Sequence, residues 1–273
     1  MDSCMGIIWN ASLKDPTHSR QSKPRTTGLT MVLDKGIGLH SFRDMLQLAG
    51  EYIDFIKLGF GTAGITPIPI LQEKLLLASS YDTFLYPGGT FFEVAFIQGK
   101  TSEYFHTLKQ IGFTYVEISD GTIHLSEKER CYFIEEARSH SLRVITEIGK
   151  KEEHSITPIN HLVHLFHQDR ACGADFVIVE GRESGYNVGI YNHHGDPNIS
   201  YVDQVCERVD HTHLWWECPK TPQQIILLRL LGVNANLGNI CNTEILSLES
   251  LRRGLRSDTF FTFTTPLEKD LVR

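Results

Sequence analysis

A short apolar run that closes on a charged residue or a glycine, followed by an amphipathic stretch, recurs along this chain. The runs are TGLTMVLD (27–34), YIDFIKLG (52–59), TFLYPGG (83–89), YVEIS (115–119), RVITEIG (143–149), DFVIVEG (175–181), HLWWECP (213–219) and NANLGNI (234–240). They are rich in Val, Ile, Phe and Tyr and bounded by Gly, Asp or Pro, which predicts buried strands. The stretches between them carry helix signals. SFRDMLQLAG (41–50) stops at Gly50, a C-terminal stop. Residues 91–111 carry Phe91, Phe92, Ala95, Phe105, Leu108 and Ile111. Ser126 with Glu129 forms a capping-box pattern ahead of a helix over about 127–140. Thr157-Pro158 and Thr221-Pro222 start two more, with proline where a first turn tolerates it. Thr243 to Gly254 is the last.

Strands that alternate with helices pair in parallel, because each crossover needs a helix to bring the chain back. Eight such units predict an α/β protein built as a single eight-stranded parallel (β/α)8 TIM barrel, with a doubly wound open sheet as the alternative. A length of 273 residues suits one barrel. Residues 1–24 are polar and irregular, and read as a mobile or loosely docked arm. The barrel is then expected over 25–262 and a tail over 263–273.

Charge narrows the function. Lys+Arg number 26 against 33 Asp+Glu, a formal charge of -7, which argues against general nucleic-acid or anionic-membrane binding. A small anionic substrate in a locally basic pocket is still compatible. No apolar run reaches the roughly 18 residues of a membrane span, and MDSCMGIIWN lacks the basic start of a secretory signal. The six cysteines form no CxxC pair, so neither a zinc knuckle nor a redox motif is supported. Reduced thiols in a cytoplasmic protein are the expectation.

Polar residues inside the strand runs carry the chemistry. Asp34 and Lys35 close the first run, and Lys57 lies in the second. Glu117 and Ser119 are in the fourth, Glu147 in the fifth, Glu180 in the sixth, Glu217 in the seventh and Asn239 in the eighth. Burying an unpaired charge is expensive. Strands that each accept one near the same end therefore point to a shared polar site, and in a barrel those ends form the mouth of the active site. Carboxylates beside lysines suggest a hard divalent cation such as Mg2+, which needs one or two of them. The others would hold the lysines or accept protons. After the sixth run, Arg182 in EGRESG offers a planar fork for a phosphate or carboxylate, with Ser184 beside it, while Gly181 and Gly185 permit close backbone approach. Gly149-Lys150-Lys151 puts lysine at the mouth, and Pro87-Gly88-Gly89-Thr90 offers backbone donors.

Two patterns are set aside. GFGTAG (59–64) fits GxGxxG, but a dinucleotide site needs a helix starting inside the glycine turn, and Pro67 and Pro69 place that start later. His161, His164 and His167 repeat at three-residue spacing among apolar neighbours, which marks the solvent side of a helix rather than a metal site.

Taken in order, GLTMVLDKG, YIDFIKLGFGT, YPGGT with FFE, VEISDGT, TEIGKK, VIVEGRESG, WECP with TPQQ, NLGNI and LRRGLRSDTF resemble the phosphosulfolactate synthase family over about residues 23–262. The resemblance implies a barrel lyase that uses Mg2+ to add sulfite to phosphoenolpyruvate, giving (2R)-phospho-3-sulfolactate, which feeds coenzyme M synthesis in archaea or sulfolactate formation in some bacteria. It implies Lys150, in TEIGKK, as the acid that protonates the carbon bearing the phosphate. Lys57 and Asp34 would also be catalytic, with Lys57 steadying an anionic group. Lys35, Gly88, Gly89, Arg182, Ser184, Gly185 and Asn239 would contact substrate, and Glu117, Glu147 and Glu180 would be the metal ligands, unranked. The chain departs from the family pattern at Phe60, Ala63, Cys218, Thr221 and Gly238, which bears on substrate detail. Rival readings are a barrel lyase or aldolase acting on another phosphorylated carboxylate, and a non-enzymatic stress protein that keeps the fold. Association into a homo-oligomer through exposed helix faces is compatible with either.

Overall fold

The structure, a computed structural model, describes residues 9–152 and 154–263. The expected strands form as β1 (Thr30–Asp34), β2 (Phe55–Leu58), β3 (Phe84–Pro87), β4 (Tyr115–Ser119), β5 (Arg143–Ile148), β6 (Phe176–Val179), β7 (Leu214–Glu217) and β8 (Leu237–Cys241). They lie side by side in the order β3-β2-β1-β8-β7-β6-β5-β4, every bonded pair parallel. That is a nearly closed TIM barrel. The seam falls between β3 and β4, where side chains do the bridging: the Phe84 and Tyr115 rings lie 4.9 Å apart, and Gly89 N–H donates to Glu117 Oε1 at 2.7 Å.

The helices lie outside, between successive strands. The 91–111 stretch is two helices, Gly89–Ile97 and Thr101–Ile111, separated near Gly99, which has a φ of 65°. Glu127–Ser139 opens on the Ser126–Glu129 capping box. A single turn, Thr62–Ile65, does start inside the GFGTAG glycines, and the main helix follows at Ile68–Ser79.

The strand period decides what each side chain faces. Outward residues such as Val32, Ile56, Val116, Val144 and Val177 pack against the helices. Inward residues Phe55, Tyr115, Ile145, Ile178 and Trp215 fill the barrel floor, with Phe55 and Trp215 rings 4.8 Å apart. Two residues further on stand Lys57, Glu117, Glu147, Glu180 and Glu217. One layer of charge therefore sits directly on a buried, largely aromatic floor.

Two expectations are corrected. The N-terminal arm is not loose from residue 20 onward. Arg20 pairs with Glu249 at 3.1 Å. The Lys23 ammonium donates to Gly50 O, Ile53 O, Tyr81 O and Thr83 Oγ1 beneath the barrel. Residues 1–8 and the tail beyond Phe263 lie outside the described residues. The cysteines are not all reduced: Cys131 and Cys172, on neighbouring helices with Cα atoms 5.4 Å apart, form a disulfide. Packing, not sequence proximity, brings them together.

Candidate active site

The charged layer opens into a cavity of about 160 Å3 at the C-terminal ends of the strands, lined by Lys57, Gly88, Gly89, Thr90, Glu117, Glu147, Lys151, Glu180, Arg182, Glu217 and Asn239 among others. Lys57 stands at its base. The Lys57 ammonium lies 3.0 Å from Glu117 Oε2, 2.8 Å from Glu147 Oε2 and 3.1 Å from Glu217 Oε1. Burial disfavours that ammonium, but the three carboxylates outweigh it and hold the lysine protonated well above its usual range. Lys151 enters from the β5 loop. Its Nζ donates to Thr90 Oγ1 at 3.1 Å and lies 3.6 Å from Glu147 Oε1 and 3.8 Å from Glu93 Oε1. Burial opposes its charge too, and Glu147, Glu180 and Glu93 raise its pKa.

The carboxylates are unequal. Burial pushes Glu117 up to about 8, with Lys57 opposing and Glu147 and Glu217 reinforcing. Burial also drives Glu180 well above the carboxylate range, helped by Glu147 alongside. Glu147 resists the same burial because Lys57 and Lys151 flank it, and stays ionised below the usual range.

Five carboxyl groups, counting Glu183, line the cavity against three cations, and a further cation would favour ionisation of the two that burial holds protonated. The donor set fits a hard cation. One oxygen from each of Glu147, Glu180 and Glu217 lies within 4.8 Å of the others. Glu147 Oε1, Glu180 Oε2 and Asn239 Oδ1 are buried and take no lysine, arginine or backbone N–H, and the Glu147 and Glu180 carboxyl groups hydrogen-bond to each other. Their partners on the same groups are committed: Glu147 Oε2 to Lys57, Glu180 Oε1 to the Arg182 N–H at 2.6 Å. Of the three glutamates expected as ligands, Glu117 is differently employed, since Oε1 takes the Gly89 N–H and Oε2 faces Lys57. Gly89 is required at that point, because a Cβ would lie 2.3 Å from Ser119 Oγ and 2.8 Å from Glu117 Oε1.

A profile of the (2R)-phospho-3-sulfolactate synthase (ComA) family matches residues 18–258. This chain belongs to that family. It is 40% identical over 245 residues to the phosphosulfolactate synthase of Methanothermobacter thermautotrophicus, covering 89% of this chain and 95% of the relative. It is 39% identical over 235 residues to that of Methanocaldococcus jannaschii, covering 85% and 94%. Among solved structures, a 3-hexulose-6-phosphate synthase superposes with a TM-score of 0.54 at 12% identity, covering 81% of this chain and 98% of that one. At that identity it shows the fold alone.

Within this phosphosulfolactate synthase family member, Lys57, Gly88, Gly89, Glu117, Glu147, Glu180, Arg182 and Asn239, of the residues singled out in the sequence, line this one cavity. Five other expected residues do not line that cavity. Asp34 points outward because Leu33 points in: its carboxylate accepts from Gly36 N and Ile37 N at 2.7 and 2.9 Å and from Lys74 Nζ at 2.6 Å. Lys35 lines a larger outer cavity of about 770 Å3 and pairs with Glu183 at 2.5 Å. The Lys150 ammonium turns away to Asp120 Oδ2, Asp120 O and Ile123 O at 2.8, 2.5 and 2.9 Å. Ser184 lines neither cavity, and Gly185 packs on Gln223, whose Nε2 donates to its carbonyl at 2.7 Å. Lys151, Glu217 and Thr90, placed at the strand ends by the sequence but given no role there, line it, and Glu93, which the sequence did not single out, faces Lys151. Glu217 shares the period that picks out Glu117 and Glu147; Lys151 could be told from Lys150 only in three dimensions. His161, His164 and His167 are exposed on their helix. No described helix is long and apolar enough to cross a membrane.

Proposed function

We propose that this chain adds sulfite to phosphoenolpyruvate with Mg2+ bound, giving (2R)-phospho-3-sulfolactate, and that Lys151 is the acid. The reading rests on one observation: a protonated lysine and the facing Glu147 and Glu180 carboxyl groups, each with one oxygen that no lysine, arginine or backbone N–H occupies, share one small cavity above a largely aromatic floor. Glu147 and Glu180 would hold the metal, with Asn239 Oδ1 available to it or to substrate. A bound Mg2+ supplies Lewis-acid stabilisation for charge that develops on a carboxylate.

The sulfur lone pair of sulfite bonds to the methylene carbon of phosphoenolpyruvate, and the double-bond electrons move toward the carboxylate. Lys151 then gives its proton to the carbon bearing the phosphate. The carboxylates around Lys151 keep it charged until that point. Lys57, held by three glutamates, fixes Glu147 and Glu217 in place rather than moving a proton. The exposed Arg182 fork at the rim would take the phosphate or sulfonate, and Gly88 lets the Lys57 side chain pass, since a Cβ there would lie 3.2 Å from Lys57 Cε.

The test is direct. Protein, Mg2+, phosphoenolpyruvate and sulfite should yield phosphosulfolactate by mass, and in D2O one deuterium should appear at the carbon bearing the phosphate. Lys151→Met should lower kcat by roughly a hundredfold to ten-thousandfold. No product from the wild type rejects the reaction, and normal turnover in Lys151→Met rejects the acid.

A further inference from the structure

Lys150 and Lys151 are consecutive, yet only Lys151 reaches the cavity, and a set of contacts outside the cavity enforces the difference. Arg130, 2% exposed on helix Glu127–Ser139, is the hub. Its Nε and Nη2 donate to the Asp169 carboxylate at 2.7–2.9 Å. Nη2 also donates to Glu147 O at 3.0 Å, and Nη1 to Asp120 Oδ1 at 3.1 Å. The other Asp120 oxygen accepts from Lys150, which also caps the carbonyls of Asp120 and Ile123. One residue on, Lys151 N–H donates to Gly121 O at 3.0 Å. The loops after β4 and β5 are thus sewn together on both sides of Asp120. The Lys151 side chain then runs against the bare α-carbon of Gly121, where an added Cβ would lie 2.9 Å from Lys151 Cε and 3.1 Å from Cδ.

We infer that Lys150, Asp120 and Arg130 form a brace that positions Lys151 and Glu147 for the reaction, none of the three touching substrate. This rests on the reading of Lys151 as the acid. A half-exposed Lys–Asp pair does little for stability, but a lysine bonded to three oxygens of a neighbouring loop fixes where the next residue goes. Arg130 acts on the same strand end through the Glu147 carbonyl. A displacement near 1 Å at a reacting group can cost about a hundredfold in rate.

Lys150→Met and Lys150→Arg in the full chain test this. Lys150 has a side chain 38% exposed, so Lys150→Met should fold. It should lower kcat roughly ten- to a hundredfold, with KM for both substrates nearly unchanged. Lys150→Arg, which keeps donors for Asp120 and the two carbonyls, should recover most of the rate. Recovery also excludes Lys150 as the acid, because a guanidinium does not release its proton near neutral pH. Gly121→Ala, which pushes on Lys151 and leaves the brace intact, should lower kcat in the same way. A kcat within twofold of wild type in Lys150→Met overturns the inference, even if the protein melts earlier. So does a Lys150→Arg variant as slow as Lys150→Met. Should the wild type make no product, the reaction reading fails by itself and the brace is judged without activity. Lysines are dimethylated with 13C-formaldehyde, and the Lys151 resonance is identified by its loss in Lys151→Met. Its shift in Lys150→Met toward the exposed-lysine position supports the brace, and an unmoved resonance overturns it.

Discussion

Replacing Glu180 by Gln separates the metal from the rest of the site. In the metal-free protein Glu180 is one carboxylate too many: it is buried beside Glu147, and burial with that neighbour disfavours its charge. Gln keeps the oxygen that accepts the Arg182 N–H at 2.6 Å and offers Glu147 an N–H donor in place of the other. Metal-free Glu180→Gln should therefore be as stable as wild type or more so. Mg2+ should tell the two apart. A ligand at about a hundred times its Kd stabilises the folded state by about 2.7 kcal/mol. For a domain of this size about 2–4 °C accompanies each kcal/mol, so wild type should gain roughly 5–10 °C. Glu180→Gln should gain little of this, because Glu147 alone would remain of the two proposed carboxylate ligands, Glu217 being engaged by Lys57 and the Gly181 N–H. The assay is calorimetric melting in EDTA and again in excess Mg2+, with activity measured in parallel. A full Mg2+-dependent shift in Glu180→Gln would refute Glu180 as a ligand. A metal-free variant clearly less stable than wild type would refute the charge argument.

Lys57→Met should be strongly destabilising, by about 3–5 kcal/mol, because it removes the one buried cation that Glu117, Glu147 and Glu217 share and leaves only Lys151, beside Glu147; urea unfolding with an unchanged midpoint would contradict it. Arg182→Ala should raise KM about tenfold to hundredfold with the fold intact, from the loss of one charge-assisted hydrogen bond worth roughly 1.5–3 kcal/mol; an unchanged KM would leave Arg182 as the donor to Lys151 O alone. Cys131→Ser should lower stability by up to about 4 kcal/mol, the loop-closure effect of a 41-residue separation. An unchanged melting temperature, with Cys172 titrating as a free thiol already in wild type, would show that the bridge does not form in solution.

Much of this was written in the linear chain. The eight strand runs alternate with helix signals, and because a parallel crossover needs its helix, that alternation left few architectures open. The strand-end charges were legible for the same reason: YVEIS and RVITEI put an acid where a buried strand should carry none. Side-chain period two, applied from the floor residues Phe55, Tyr115, Ile145, Ile178 and Trp215, also brings in Glu217. What the sequence could not settle was direction and partnership. Asp34 and Leu33 are neighbours on one strand end, and only barrel closure sends Leu33 to the site and Asp34 to Lys74. Lys150 and Lys151 are the same residue type in the same loop, and the choice between them is made by Asp120, Gly121 and Arg130, contributed from the preceding strand-helix unit. Cys131 and Cys172 lack any motif, and meet because two helices pack. Local pattern fixes which faces are apolar, whereas contacts between units distant in sequence depend on how the closed barrel rotates each strand end, and that exists only in the folded chain.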